Sequence, residues 1–169
     1  MELQKRIENY WQTRSTSYSR LIQEEMNSFK KEAWTALIEE YRPAGESLRA
    51  LDIGAGPGFF ALLLSGLGHR VTAIDCADNM LAEAGDNVRK AGFQVEFHKM
   101  DSHEPAFADV TFDLLICRNL TWTLREPRRA VARSTPPTTR EPPATRPPVT
   151  GSYPSKVETT AAATGSKAR

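Results

Sequence analysis

The chain has 169 residues, of which 22 are Lys or Arg and 21 are Asp or Glu, so its net charge at neutral pH is +1. This length suits one domain with or without a tail, and the balanced charge creates no general attraction for nucleic acid or an anionic membrane. The apolar runs are far shorter than the roughly 18 to 20 residues that cross a bilayer, and the N-terminus lacks a signal-peptide pattern. We therefore expect a cytoplasmic protein with neither nucleic-acid nor membrane partners.

The region 1–47 is predicted to form N-terminal helices. Apolar residues recur every three or four positions near its start and again over 29–41, which is typical of amphipathic helices. The polar segment at 15–19 is predicted to separate two helices, and Asn27 or Ser28 is a suitable N-cap for the second.

The region 48–133 alternates between strand-like and helical segments. Short runs rich in Val, Ile, Leu and Phe predict four strands, at 49–53, 70–75, 94–100 and 112–117. The segments 57–67 and 77–91 have helical periodicity, and Gly68 and Gly92 follow them as C-terminal stops. This alternation predicts an α/β domain with a doubly wound, Rossmann-like parallel sheet of about four strands.

A glycine-rich loop follows the first predicted strand, in the sequence A-L-D-I-G-A-G-P-G-F-F at 50–60. Gly54, Gly56 and Gly58 allow a tight turn and the close approach of a ligand, and the next helix begins with unpaired N–H groups. Asp75 lies 21 residues after Gly54 at the end of the second strand, where a carboxylate can accept both hydroxyl protons of a ribose. The pattern predicts a nucleotide-like ligand.

Three details favour a cationic nucleoside over a dinucleotide. The dinucleotide fingerprint requires a small residue where this chain has Phe59, and the third glycine comes one residue early, at Gly58. Asp52 would repel a pyrophosphate but attract, directly or through water, the ammonium of a methionine moiety. Asp101, after the third strand, adds a carboxylate suited to an adenine amino group.

At this point the chain resembles the class I S-adenosylmethionine-dependent methyltransferases with a methyltransferase-11-like domain. Five segments occur in the order of that family: Y-W-Q-T-R-S-T-S-Y at 10–18, L-D-I-G-A-G-P-G at 51–58, A-I-D-C-A-D-N-M-L-A-E-A at 73–84, M-D-S at 100–102 and F-D-L-L-I-C-R-N-L-T-W-T-L at 112–124.

The resemblance implies that S-adenosyl-L-methionine is the cofactor and that the substrate is a small-molecule methyl acceptor. It also implies that the region 1–47 is an N-terminal helical lid over the cofactor and that Arg118 lies beside the methionine end. The implied cofactor contacts come from this lid, the glycine loop and the strand ends: Trp11, Arg14, Tyr18, Asp52, Gly54, Ala55, Gly56, Gly58, Asp75, Cys76, Met80, Asp101, Ser102 and Arg118. Asn119 and Trp122 are weaker candidates for holding an amino acceptor, and a catalytic base is not required for transfer from a sulfonium.

The composition changes after residue 133. The region 134–169 contains seven of the 11 prolines and few large apolar side chains, so we expect a disordered tail. The later strands of the family are not recognisable there, which predicts a C-terminally truncated or frame-shifted methyltransferase of uncertain catalytic competence. An NAD(P)-dependent oxidoreductase and a non-catalytic interaction fragment remain the alternatives.

The missing strands would leave the fourth strand, at 112–117, at an edge of the sheet. This segment carries one charge in six residues and no proline, which is typical of strands that pair with other chains. We therefore predict self-association through this edge.

Overall fold

The structure is a computed structural model that describes residues 2–102, 106–107 and 112–118. Two N-terminal helices precede an alternation of strands and helices: α1 (Glu2–Met26), α2 (Phe29–Tyr41), β1 (Arg49–Ile53), α3 (Phe59–Gly66), β2 (Arg70–Asp75), α4 (Asp78–Lys90), β3 (Glu96–Lys99) and β4 (Leu114–Cys117). Among these described helices, none combines the length and the apolar character that a membrane span requires.

The four strands form one parallel sheet in the order β3-β2-β1-β4, which confirms the predicted Rossmann-like α/β fold. The register places Ile53 opposite Ile74 of β2 and Cys117 of β4, and Asp75 opposite Lys99 of β3. All four strands therefore end at the same edge of the sheet, the edge at which parallel α/β proteins bind their ligands. We call it the carboxyl edge.

The two faces of the sheet carry separate apolar clusters because successive strand residues point to opposite sides. On one face, Ala50 and Val71 pack against residues from all four helices, among them Phe60 of α3 and Val88 of α4. The opposite face carries a smaller cluster of Leu51, Ile53, Ile74, Phe112 and Leu115.

The predicted break at 15–19 is wrong, because α1 runs unbroken through this segment. Serine is disfavoured inside helices when its hydroxyl competes for the backbone, but here the hydroxyls bond within the helix or across to a neighbour. Ser15 and Ser17 donate to carbonyls three residues earlier, and Ser19 accepts a hydrogen bond from Asn87 of α4 at 2.9 Å.

Local stop and start signals were read correctly from the sequence. Ser28 caps α2 by accepting from the backbone N–H of Lys30, and Gly68 and Gly92 follow α3 and α4 with φ of +85° and +79°. Such left-handed angles at the end of a helix favour glycine. The third strand is shorter than its predicted 94–100, since pairing with β2 begins at Glu96.

Several predictions concern residues outside the described ranges. The tail at 134–169, the truncation or frame shift, Asn119 and Trp122 all fall there, and the domain boundaries at 47 and 133 stay predictions. Within the described sheet, β4 pairs with β1 and is the last strand in the order. Self-association through this strand also stays a prediction, and sedimentation over a concentration series is its test.

Candidate cofactor-binding site

The glycine loop connects β1 to α3 at the carboxyl edge. The backbone N–H groups of Gly54 and Ala55 both donate to the carbonyl of Ile74, at 2.9 and 3.0 Å, which ties the loop to the end of β2. Gly58 has a φ of +91°, and a Cβ added there would lie 3.2 Å from the Cβ of Ala84 in α4. Glycine at this position lets the loop pack directly on α4.

Asp75 ends β2 beside the loop. One carboxylate oxygen accepts the backbone N–H of Gly56 and the other that of Ala77, both at 2.9 Å. The backbone N–H and the thiol of Cys76 also lie close enough to interact with this carboxylate. Burial raises the pKa of Asp75, and the two backbone donors oppose this rise.

Asp52, near the end of β1, is the most deeply buried acid of the site. Its exposed fraction is 1%, and its Oδ2 atom makes no hydrogen bond to the described residues. Burial raises the pKa of Asp52 to about 7, and the nearby charge of Asp75 adds to the rise, whereas the backbone N–H of Ala61 opposes it. Between residues 2 and 118, neither Asp52 nor Asp75 forms an ion pair with a described Lys or Arg.

Helix α1 lies over the loop. A Cβ on Gly56 would meet the ring of Tyr18 at 3.5 Å, and the Tyr18 ring lies 5.8 Å from that of Trp11 between centroids. Arg14 is exposed, and its guanidinium stacks on the Tyr10 ring at 4.4 Å from the centroid. The structure therefore brings Tyr18 to the loop and directs Arg14 toward Tyr10.

A row of hydrogen bonds joins α1 to α4, and we call it the α1–α4 seam. The side chain of Gln12 accepts the backbone N–H of Asn79 at 2.8 Å, at the start of α4. One turn further along α1, the hydroxyl of Thr16 donates to Glu83 at 3.0 Å. The side chain of Gln12 thus satisfies a backbone donor that the first turn of α4 leaves unpaired.

Arg118 follows β4 and is anchored to α1. Its guanidinium forms an ion pair with Glu25, with N–O distances of 2.8 and 2.9 Å, and lies 5.0 Å from the Phe59 ring centroid and 5.8 Å from that of Trp34. Burial raises the pKa of Glu25, but the hydrogen bonds from Arg118 and Lys30 outweigh it and the pKa is lowered. The implied role of Arg118 at the methionine end therefore coexists with a structural contact to α1.

The remaining predicted residues differ in their access to the carboxyl edge. Met80 is 1% exposed and Ser102 is buried, whereas Asp101 is exposed and Cys76 is half-buried. Burial raises the pKa of Cys76 to about 12, and the charge of Asp75 contributes, so this thiol is neutral at physiological pH.

Sequence reasoning missed several buried polar residues, among them Asn87 and Glu25. Asn87 lies on the buried face of α4 with Ala84 and Val88. The helical periodicity of the sequence already places this amide among apolar positions, and that placement indicates a buried polar group with a hydrogen-bond partner. Glu25 carries no comparable signal, because its partner Arg118 is 93 positions away.

Comparison with known proteins gives consistent matches. The family model described as a methyltransferase domain matches residues 50–135. A phosphatidylethanolamine N-methyltransferase of Cereibacter sphaeroides is 38% identical over 88 residues, which cover 50% of this chain and 42% of that protein. A malonyl-[acyl-carrier protein] O-methyltransferase of Erwinia pyrifoliae is 36% identical over 100 residues, 55% of this chain and 36% of that protein.

A solved structure shows the same fold over more of the chain. It is the magnesium protoporphyrin IX methyltransferase of Synechocystis with bound S-adenosylmethionine, and the match covers 79% of this chain and 70% of that one, with a TM-score of 0.57 and 17% identity. The chain spans less than half the length of the two curated relatives above. The family match covers half of the chain and includes the glycine loop and Asp75, so the chain belongs to the methyltransferase-domain family, and its cofactor is S-adenosylmethionine.

Proposed function

We propose that this protein transfers the methyl group of S-adenosylmethionine to a small-molecule acceptor. The observation that carries the proposal is the pair of buried carboxylates, Asp52 and Asp75, beside a glycine loop and without a basic partner among the described side chains. Two acids in that position favour a ligand with positive charge and ribose hydroxyls. When bound, the cofactor supplies a methyl group activated by a positively charged sulfur.

Asp75 is proposed to hold the ribose. Gly56 and Ala77 each occupy one acceptor position of its carboxylate, which fixes the orientation of the group before a ligand arrives. A carboxylate held in this orientation at the end of β2 is suited to accept the hydroxyl protons of a ribose.

Asp52 is proposed to act by its charge. Because 1% of the residue is exposed, its influence on a ligand in the loop operates through space, across the backbone of the glycine loop. A ligand with positive charge would favour the ionised carboxylate, and with a pKa of about 7 the group is divided between its two forms near neutral pH.

Tyr18 and Trp11 are proposed to close the site from the side of α1. The Tyr18 ring already packs on Gly56, and closure over a ligand would exclude water from the reacting centre. For a displacement at a methyl group, positioning and a dry site are the main contributions that a protein makes. Closure by Tyr18 and Trp11 would supply both, and transfer from a sulfonium does not require a general base.

The acceptor is proposed to be a small molecule, and its identity stays open. The relatives named above act on an amine of a phospholipid and on an acyl group held by a carrier protein, according to their names. Asn119 and Trp122 remain the candidates for contacting an amino acceptor. A cytoplasmic location is proposed as well.

Calorimetric titration tests cofactor binding directly. We expect S-adenosylhomocysteine and S-adenosylmethionine to bind and NADH to show no heat of binding. Asp75→Ala should weaken the affinity by about 1 to 3 kcal/mol, roughly five- to 150-fold, because the ribose loses a charged acceptor. Asp86→Ala, at an exposed position of α4, is the matched control and should leave affinity unchanged. Binding of NADH without S-adenosylhomocysteine would support the oxidoreductase alternative, which the family match does not favour.

Methyl transfer needs a separate assay. The purified chain is incubated with a cell extract of small molecules and S-adenosylmethionine labelled in its methyl group. We expect label in a small-molecule fraction. Cofactor binding without any labelled product would support the non-catalytic alternative.

A further inference from the structure

The side chain of Asn87 contacts two parts of the site without lining it. Its amide nitrogen donates to the Ser19 hydroxyl of α1 at 2.9 Å and to the Pro57 carbonyl of the glycine loop at 3.0 Å. Both hydrogens of the amide are therefore used, and the nitrogen must face Pro57 because a carbonyl can only accept. One side chain of α4 thus joins the loop to α1.

The two partners of Asn87 are next to residues of the binding site. Ser19 follows Tyr18, whose ring packs on Gly56, and Pro57 follows Gly56 in the loop. Asn87 itself is 6% exposed. It therefore acts on the site through its neighbours.

We propose that the amide of Asn87 is a positioning group that couples the docking of α1 to the conformation of the glycine loop. The inference rests on the proposed function, since the loop and α1 are the parts that would enclose the cofactor. A shift of the Pro57 peptide group stretches one hydrogen bond of the amide, and a shift of α1 stretches the other. The amide keeps both hydrogen bonds only when the glycine loop and α1 are in place at the same time.

Asn87, Ser19 and Pro57, which we call the Asn87 triad, are all buried, and this burial makes their hydrogen bonds costly to lose. Ser19 is also 6% exposed and Pro57 is among the most completely buried residues, so a donor or acceptor left without its partner has no bulk water to replace it. Elsewhere in the α1–α4 seam, the hydrogen bond of Thr16 to Glu83 is exposed, and water can substitute for either group. The coupling therefore resides in the Asn87 triad and not in the whole seam.

Three variants of α1 separate this coupling from helix packing. Ser19→Ala removes the acceptor on α1 and leaves the hydrogen bond from Asn87 to Pro57 in place. Ser15→Ala is a matched control, because Ser15 is another buried serine whose hydroxyl donates to Gln12 within α1. Ser19→Thr restores the hydroxyl and should rescue the function.

The first readout is amide hydrogen exchange of the full chain without ligand. Ser19→Ala should speed exchange at Gly56 and Gly58 about three- to tenfold, the effect of one net hydrogen bond, whereas Ser15→Ala and Ser19→Thr should stay within twofold of wild type. Equal exchange of the loop in Ser19→Ala and Ser15→Ala would overturn the proposal, whether or not the protein binds the cofactor.

The second readout is the affinity for S-adenosylhomocysteine in the wild type and in Ser19→Ala, Asn87→Ala and the double variant. Each single variant should weaken binding about three- to tenfold, and the double variant should bind no more weakly than Asn87→Ala, because both act through one amide. Additive losses would overturn the coupling. Wild-type protein that does not bind S-adenosylhomocysteine would contradict the proposed function, and loop exchange would still decide the role of Asn87.

Discussion

Helices α1 and α3 both pack against the sheet-facing core, but by different chemistry. Helix α3 is buried over Phe59–Leu64 and contributes the apolar centre of the larger cluster. Helix α1 contributes Ile22 to that cluster and packs the partly buried Tyr18 and Met26 against it, and polar contacts join it to its neighbours as well, including those of Gln12, Thr16 and Glu25.

This difference in contacts predicts that α3 stays packed while the protein is folded, whereas α1 can undock from it. Apolar burial is lost only by exposing the surface to water, at a cost of about 25 cal/mol per Å². Exposed hydrogen bonds and ion pairs exchange with water at a net cost of about 1 kcal/mol or less each. We therefore expect α3 to unfold with the whole protein and α1 to undock at lower free energy.

The strongest test of the comparison is Leu64→Ala in α3. Leu64 is 0% exposed, and its truncation should lower the free energy of unfolding by about 2 to 5 kcal/mol, because a cavity remains in the core. Leu21→Ala, at a position of α1 that is 43% exposed, is the control and should change it by less than about 1 kcal/mol. Denaturant titration measures both, and equal losses would remove the distinction between the helices.

Asp52→Asn tests the polar group that lies under the start of α3. The folded-state pKa of Asp52 is raised from 3.8 to about 7, so the carboxyl contributes stability below pH 3.8 that is lost as the pH rises through 7. The neutral amide should make the ligand-free protein more stable than wild type at pH 8, by up to about 4 kcal/mol, and equally stable at pH 4.

Denaturant titrations at the two pH values check this result, with Asp86→Asn as the exposed control. The same variant should bind S-adenosylhomocysteine more weakly, since it lacks the negative charge. A stability difference between Asp52→Asn and wild type that does not vary with pH would show that the pKa of Asp52 is the same in the folded and unfolded states.

Glu25→Gln tests a polar contact of α1 that is buried, unlike the exposed contacts of Gln12 and Thr16. The change leaves the Arg118 guanidinium without its counter-charge and should weaken the docking of α1 by about 1 to 3 kcal/mol. Lys30→Gln removes the more exposed partner of the same carboxylate, and it should cost less than about 1 kcal/mol. Exchange rates of α1 amides report the docking, and a larger effect of Lys30→Gln would reverse the assignment of the anchor.

Gln12→Ala is expected to have the smallest effect. It removes the acceptor of the Asn79 backbone N–H at an exposed site, and it should weaken the docking of α1 by about 0.5 to 1.5 kcal/mol. The thermal midpoint should be unchanged while amide exchange in α1 increases, with exposed Gln23→Ala as control. A clear fall in the midpoint would mean that α1 unfolds together with the core.

The strand and loop pattern could be predicted from the sequence because its signals are local. The run at 70–75 became β2 with the expected ends, and Gly68 and Gly92 terminate their helices because left-handed backbone at a helix end requires little beyond the glycine itself. The same holds for the placement of Asp75 beside the glycine loop, which follows once the strands are parallel.

The course of α1 could not be predicted in this way. Ser19 is a poor helix residue by its own propensity, and its acceptable place inside α1 depends on Asn87, 68 positions along the chain. The anchoring of Arg118 by Glu25 likewise depends on contacts between distant segments. The sequence of one chain shows the residue types of such pairs but does not show which distant residues come into contact.

The separation of these partners also affects the order of events during protein synthesis. Residues of α1 leave the ribosome before those of α4, in which their partners lie 67 or 68 positions later. We therefore expect α1 to stay undocked until residues through Asn87 have emerged and β1, β2 and α3 can pack. An undocked helix with a mostly polar surface has less tendency to associate with other chains. The sparse apolar content and the polar contacts of α1 are in keeping with such a surface.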